Sequence, residues 1–296
     1  MKQELQKFVK ENPKLVTMRE MRETSPGLFV LKYRRNVFYD NLWNDQLEEC
    51  RGTIVDGDFN VVSRPFTKIY NYGVEAKAPV LSDDVRVEAY RKINGFMVAV
   101  TWYNDDLLIS TTGSTDNDYV NMARSLIDLD RYRKVCRTWH GTTFMFECVH
   151  RDDPHIVPEV EGMYLLGYRE TAWNSVIDLD KVMLRMLTAE FGTIPVESFN
   201  LTMGELMAMA KTARHEGFVF YSADGVSAKI KSPFYLTNKW MARNPRTDKL
   251  LTKEFREQID EEYYGLLDHI QVNIVEFTAL TEQDRLDYIR KYLEKQ

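Results

Sequence analysis

Ala89-Tyr-Arg-Lys-Ile-Asn-Gly-Phe-Met-Val-Ala-Val100 places a lysine, Lys92, at the mouth of an apolar run and follows it at once with the turn pair Asn94-Gly95. Gly95–Tyr103, then Asn104-Asp105-Asp106, then Leu107–Thr111 reads as two strands joined by a tight turn. A cation where a strand enters a core must either reach back to water or serve something, because an unpaired buried charge is costly.

The same texture extends on both sides. From about Leu28 to Ser110 short β-branched and aromatic runs alternate with turn signals, and Thr53–Asp56 and Asn60–Ser63 flank Gly57-Asp58 as a hairpin. Residues 2–12 carry Leu5, Phe8 and Val9 at helical spacing. The spacing predicts one helix over 117–139, strands at 143–149 and 163–168, helices over 178–191 and 202–212, and a hairpin of 217–221 with 226–231. After Pro233 the pattern becomes amphipathic and heavily charged, with helices expected over 247–269 and 281–295. The second opens on Thr281-Glu-Gln-Asp284, close to a capping box. A boundary is placed near 236–245, dividing the chain into 1–240 and a small helical domain 241–296.

The chain has 296 residues, 44% hydrophobic and 28% charged, the balance of an ordinary globular protein. It contains no run of about 18 apolar residues, and its charged N-terminus lacks the apolar core of a signal peptide. Three cysteines argue for a reducing compartment, so a cytoplasmic protein is expected. A net charge of −6 speaks against nonspecific coating of nucleic acid. Locally, though, seven cations (Lys229, Lys231, Lys239, Arg243, Arg246, Lys249 and Lys253) face one anion, Asp248, over 229–253. That segment is either a solvated basic face or a grip on a confined anion.

Polar residues recur where the apolar strands begin or end. Glu147 sits in Phe144-Met-Phe-Glu-Cys148, on the face opposite the two phenylalanines and Cys148. Glu216 precedes Gly217-Phe-Val-Phe-Tyr221, and Lys229 and Lys231, two apart, share a side of their strand. Lys92, Glu147, Glu216, Lys229 and Lys231 are either scattered edge charges or members of one cleft.

Their order resembles that of the covalent nucleotidyltransferases. Lys92-Ile-Asn-Gly95 resembles the lysine-x-x-glycine nucleotidyl motif, and Phe146-Glu147, Tyr164–Tyr168, Glu216–Val219 and Ala228–Lys231 look like the later motifs of that superfamily, in sequence. Glu49-Cys-Arg-Gly-Thr-Ile-Val55, Arg64-Pro-Phe-Thr-Lys-Ile-Tyr-Asn71 and Lys229-Ile-Lys-Ser-Pro-Phe-Tyr235 are similar to the phage RNA ligase 1 family. The resemblance covers about residues 28–236. It implies an α+β nucleotidyltransferase (adenylation domain) fold of antiparallel sheets flanked by helices. It also implies an ATP-dependent RNA ligase that passes AMP from ATP to lysine, to an RNA 5′-phosphate, and off again when a 3′-hydroxyl attacks.

On that resemblance Lys92 is the nucleophile. Lys229 and Lys231 stabilise charge on the α-phosphate, Arg51 and Lys68 hold the outgoing pyrophosphate, and Glu147 and Glu216 serve Mg2+ (or Mn2+) and ribose. Asn94-Gly95 lets the backbone approach the ribose, and the strand ending at Tyr168 and the Phe218 region form the walls of an adenine slot. Asn94 departs from the aspartate of many relatives, which puts a carboxylate role there in doubt. The family also implies RNA ends as partner, with tRNA repair beside an end-healing kinase-phosphatase, and a monomer; no residue here indicates tRNA preference.

Other readings compete. DNA ligases and capping guanylyltransferases need an OB-fold barrel after the last motif, whereas the 65 residues after Lys231 have a helical period. An inactive relative would keep the lysine only to grip RNA ends. Cys136-x3-His140 and Cys148-x-His150, with His155, fit no common zinc spacing. The aromatic-rich Tyr33–Trp43 segment is either a stacking platform or a packing anchor.

Overall fold

The run Thr142-Thr-Phe-Met-Phe-Glu-Cys-Val149 forms a strand with every residue buried, although Glu147 interrupts one of its two faces. Phe144, Phe146 and Cys148 project to one side and enter a core with Val98, Val100, Tyr132 and Phe191. The structure, a computed structural model, describes residues 2–73, 78, 80–243, 249–250, 252–257, 259 and 261–295. The side chains of Arg243, Lys253 and Glu261 lie outside that description. The chain forms two compact units, one of residues 1–68, 95–154 and 159–196 and the other of residues 69–94, 155–158 and 197–296.

The first unit holds two antiparallel sheets. One orders Val16–Glu20, Leu28–Tyr33, Arg51–Asp56 and Val61–Ser63, with the helix Lys2–Glu11 packing Leu5 and Val9 on it. The other orders Gly162–Glu170, Thr142–Val149, Phe96–Tyr103 and Asp106–Ser110, so the strand after Gly95 forms its hairpin as expected. The single helix expected over 117–139 is two, Asp118–Leu126 and Leu129–Thr138. Ile127 is extended between them, and the Asp128 carboxylate accepts from the Asp130 and Arg131 amides, a cap that starts a new helix.

The second unit is built on a five-stranded sheet ordered Ser198–Thr202, Arg86–Arg91, Gly217–Ser222, Ser227–Lys231, Tyr70–Asn71. All its pairings are antiparallel except the last, which is parallel. Thr202 and Glu205 form a reciprocal capping box at the start of Met203–Thr212. The expected boundary at 240/241 falls inside one helix, Pro233–Arg243. Tyr235, Leu236 and Trp240 of that helix are buried in a core with Phe255, Tyr263, Leu267, Ile270 and Ile289, so the chain does not change units there. The helix expected over 247–269 is broken into Lys253–Arg256, a 3-10 turn Glu261–Tyr263 and Tyr264–Val272. At the break the buried Tyr263 hydroxyl donates to the Leu236 carbonyl (2.9 Å). Thr281 caps Glu282–Glu294 as its sequence suggested. Among the described residues no helix is long and apolar enough to cross a membrane.

Candidate active site

Lys92 follows directly on the strand Arg86–Arg91, and its amide donates to the Gly217 carbonyl (2.8 Å), which fixes the backbone of the lysine against the next strand. Gly217 stands directly opposite Lys231 in the ladder, at φ +136°, and a Cβ there would lie 1.9 Å from the Ile230 carbonyl oxygen. Only glycine fits so close an approach. The Lys92 ammonium lies 3.0 Å from Glu216 Oε2, with 22% of the lysine side chain and 5% of the glutamate's exposed. Asn94 Nδ2 donates to the same glutamate oxygen at 2.9 Å, while Asn94 Oδ1 accepts from the Val157 amide at 3.0 Å. Burial pushes the Glu216 carboxyl upward. The charges of Lys92 and Lys231, with the hydrogen bonds from Lys92 and Asn94, outweigh it and hold the group below the usual carboxylate range.

Along Ser227–Lys231 burial alternates, with Ala228 and Ile230 inward and Lys229 and Lys231 together on the other face. Lys231 reaches a carboxylate that sequence reasoning passed over. Glu262 Oε1 is 2.6 Å from Lys231 Nζ and 3.0 Å from Lys239 Nζ, and Asn71 Nδ2 donates to Glu262 Oε2 at 3.3 Å. Burial would raise this carboxyl, but Lys231 and Lys239, with Lys229 beyond them, bring it down to about 2. The Tyr235 ring lies under both ammoniums, 5.5 Å from Lys231 Nζ and 5.7 Å from Lys239 Nζ. Lys239 was visible as one of a basic run. Glu262 was not, because nothing distinguishes it from Asp260 and Glu261 beside it. Of the remaining cations of that run, Lys249 is exposed, Arg246 lies outside the described residues, and the side chains of Arg243 and Lys253 are outside them too.

The first unit carries the other expected site residues. The Gly95 amide donates to Glu147 Oε1 (3.2 Å), and a Cβ on Gly95 would come within 2.3 Å of the Cys148 carbonyl oxygen. Close packing of this turn on the Thr142–Val149 strand therefore demands the glycine here. Glu147 is 8% exposed and shares a sheet face with Met97 and Tyr164, its cross-strand neighbours. Both candidate metal carboxylates are thus buried. Arg51 donates to the Thr67 carbonyl (3.2 Å). Lys68, almost wholly buried, has its ammonium 4.2 Å from the Trp43 ring centroid and 5.5 Å from that of Phe38. The aromatic segment Tyr33–Trp43 is consequently the housing of Lys68, with Tyr33 edge-on to Trp43 at 4.7 Å.

Tyr168 and Phe218, on the strand and in the region expected beside the adenine, carry inward-facing rings. Tyr168 is buried against Trp139 and Phe144, and Phe218 against Phe199 and His215, each ring inside the core of its own unit. Cys136 and Cys148 belong to the apolar core of the first unit, and burial pushes both thiols up to about 12, as it does Cys50. Among the described residues no three His, Cys, Asp or Glu side chains cluster as a metal cage.

A protein of Autographa californica nuclear polyhedrosis virus described as a bifunctional polynucleotide kinase/RNA ligase is 25% identical over 251 residues, covering 75% of this chain. The chain spans only 35% of that relative's length. Among solved structures, an archaeal ATP-dependent RNA ligase superposes with a TM-score of 0.62 at 17% identity, covering 98% of this chain and 76% of the other. An Aquifex aeolicus protein described as an ATP-dependent DNA ligase gives 0.57 at 17% identity, covering 98% and 77%. At such identity these likenesses speak for the fold alone, the α+β nucleotidyltransferase fold of ligases. The RNA ligase family model matches residues 49–241, from the Glu49 motif through Lys92, Glu216 and Lys231 into the helix that carries Trp240, and the chain belongs to the RNA ligase family.

Proposed function

We propose that this chain is an ATP-dependent RNA ligase that joins RNA 5′-phosphate and 3′-hydroxyl ends, with Lys92 as its nucleophile. The observation that carries the reading is the Lys92–Glu216 pair beside Lys231, in a chain of the RNA ligase family. In the first step the neutral Lys92 amine attacks the α-phosphorus of ATP. The bond to pyrophosphate breaks, and a phosphoramidate forms with loss of the amine proton. An RNA 5′-phosphate oxygen next attacks the AMP phosphorus and breaks the P–N bond, and a 3′-hydroxyl oxygen then attacks that 5′-phosphate, releasing AMP and closing the phosphodiester.

The residues divide this work by their chemistry. Lys229 and Lys231 would neutralise charge developing on the α-phosphate, and Arg51 and the ring-held Lys68 would take the leaving pyrophosphate. Lys92 Nζ is held 3.0 Å from Glu216 Oε2, and the attack requires that amine in its unprotonated form. Glu216 of the second unit and Glu147 of the first are each hard oxygen donors of the kind that would suit Mg2+ or Mn2+. A divalent ion bound with ATP would supply charge neutralisation of the phosphates. The strand ending at Tyr168 and the Phe218 region would wall the adenine, with the Tyr168 and Phe218 rings themselves packed inward. The name of the viral relative, which couples a polynucleotide kinase to an RNA ligase, supports a partner that heals ends before sealing, with tRNA among the candidate substrates. We take the protein to act as a monomer in a reducing cytoplasm.

Incubation with ATP labelled at the α- or γ-phosphate, followed by denaturing electrophoresis, tests the reading. Covalent, acid-labile label from the α- but not the γ-position is expected, followed by sealing of nicked RNA in preference to DNA. Absence of label in Mg2+ and in Mn2+ would reduce the chain to an RNA-end binder. Preference for DNA ends would reassign the substrate.

A further inference from the structure

Glu262 lies beyond every motif that marks the family, yet its carboxylate is 7% exposed and holds two lysines of the second unit at once. A carboxylate is placed at such depth only where its charge is matched, and here the match includes Lys231, a lysine assigned to the phosphates. The environment is specific. Oε1 bridges the two ammoniums, Oε2 accepts from Asn71, and the Tyr235 ring supports both lysine heads. Tyr263, the next residue, is anchored by its hydroxyl to Leu236 and by ring packing on Trp240 at 5.1 Å, which leaves the Glu262 backbone little freedom.

We propose that Glu262 is a positioning residue of nucleotidyl transfer, fixing the Lys231 ammonium in place and keeping Lys239 beside it as a second cation toward the phosphates. The inference rests on the reading of Lys231 as a phosphate-contacting residue. A lysine carries four rotatable bonds and a point charge, so an untethered Lys231 would spend much of its time away from the productive position. Small misplacement of a charge at a reacting phosphate is costly in rate. Lys231 still has donor hydrogens beyond the one given to Glu262, so the tether does not consume its capacity to meet phosphate. The same geometry makes the C-terminal helices part of the first chemical step rather than an addition to the substrate-handling end of the protein.

The test is single-turnover formation of lysyl-AMP by the full chain carrying Glu262→Gln, Lys231→Met or both, with ATP concentration varied and folded fraction measured for each. Glu262→Gln keeps the side-chain shape and removes its charge. A loss of about tenfold or more in the rate at saturating ATP is expected. In the double variant, Glu262→Gln should add nothing to the loss caused by Lys231→Met, because it acts through that lysine. Multiplicative losses would make Glu262 a general stabiliser and overturn the proposal, and an unchanged rate in Glu262→Gln alone would do the same. A faster rate or tighter apparent ATP binding in Glu262→Gln would overturn it in favour of a carboxylate that competes with phosphate. If Lys231→Met itself leaves lysyl-AMP formation intact, the assignment of Lys231 fails first, and that outcome is separate from all of these. Should Glu262→Gln fold poorly, Glu262→Asp, which keeps the charge but shortens the reach, is read in the same assay, and full activity there at equal folded fraction would overturn the proposal.

Discussion

Glu216 Oε2 is shared by two donors, the Lys92 ammonium at 3.0 Å and the Asn94 amide nitrogen at 2.9 Å, and it does so in a nearly dry setting. The lysine is therefore not a loose cation at a strand mouth. It is half of a buried pair. Lys92→Ala should abolish covalent AMP labelling, and it should also lower stability by about 1–3 kcal/mol, because Glu216 loses its nearest counter-charge. Labelling with α-phosphate-labelled ATP and a denaturant titration check both, and persistent label would remove Lys92 from the nucleophile's place.

Asn94 uses both ends of its amide, donating to Glu216 and accepting from the Val157 amide. An aspartate keeps only the acceptor and sets a second negative charge against Glu216. Asn94→Asp, although many relatives carry aspartate, should cost about 1–3 kcal/mol in the protein without bound metal. Thermal melts with and without Mg2+ measure it, and an unchanged melting temperature without metal would mean the pairing is not formed in solution.

Gly95 and Gly217 meet the backbone where a Cβ has no room, at 2.3 Å from the Cys148 carbonyl oxygen and 1.9 Å from that of Ile230. Gly95→Ala and Gly217→Ala should each destabilise by about 3 kcal/mol or more, since the obstacle is backbone and cannot swing aside. A serine or alanine tolerated at either position, with normal melting, would contradict the close approach.

Burial pushes the thiols of Cys50, Cys136 and Cys148 up to about 12, against about 8.5 for an exposed thiol. The folded protein keeps these protons over the window in which the unfolded chain releases them. Stability from this source is thus whole below about pH 8.5 and falls as pH rises toward 12. Iodoacetamide at pH 8.5 should leave the native protein unlabelled and modify all three cysteines in denaturant, and rapid native labelling would show the thiols accessible.

A chain ending at Met241, by the motif boundaries alone, should keep lysyl-AMP formation and lose only RNA handling. The structure reverses that expectation. Trp240 would lose Phe255 and Tyr263, and Lys231 and Lys239 would lose Glu262. Lysyl-AMP formation per soluble molecule should fall about tenfold or more, together with sealing. Full adenylylation by a soluble truncated chain would return these helices to a role in RNA positioning alone.

Much of the site was legible because its chemistry is carried by residue type in local order. Lys92 with Gly95, Glu216 with Gly217, and Lys229 with Lys231 are short-range patterns, and strand alternation alone puts the last pair on one face. The hairpins at 53–63, 95–111 and 217–231 were legible for the same reason, since period and turn chemistry are local. Tertiary structure decided what no local pattern contains. It drew Glu262 across 31 residues to Lys231 and buried the Tyr168 and Phe218 rings that a motif reading offers to adenine. It turned the Tyr33–Trp43 aromatics into the housing of Lys68, and it carried the Pro233–Arg243 helix straight through an apparent domain boundary. In each case the outcome depends on which distant surface covers a side chain, and desolvation together with the charges that compensate it sets that choice, neither of which has a period in the sequence.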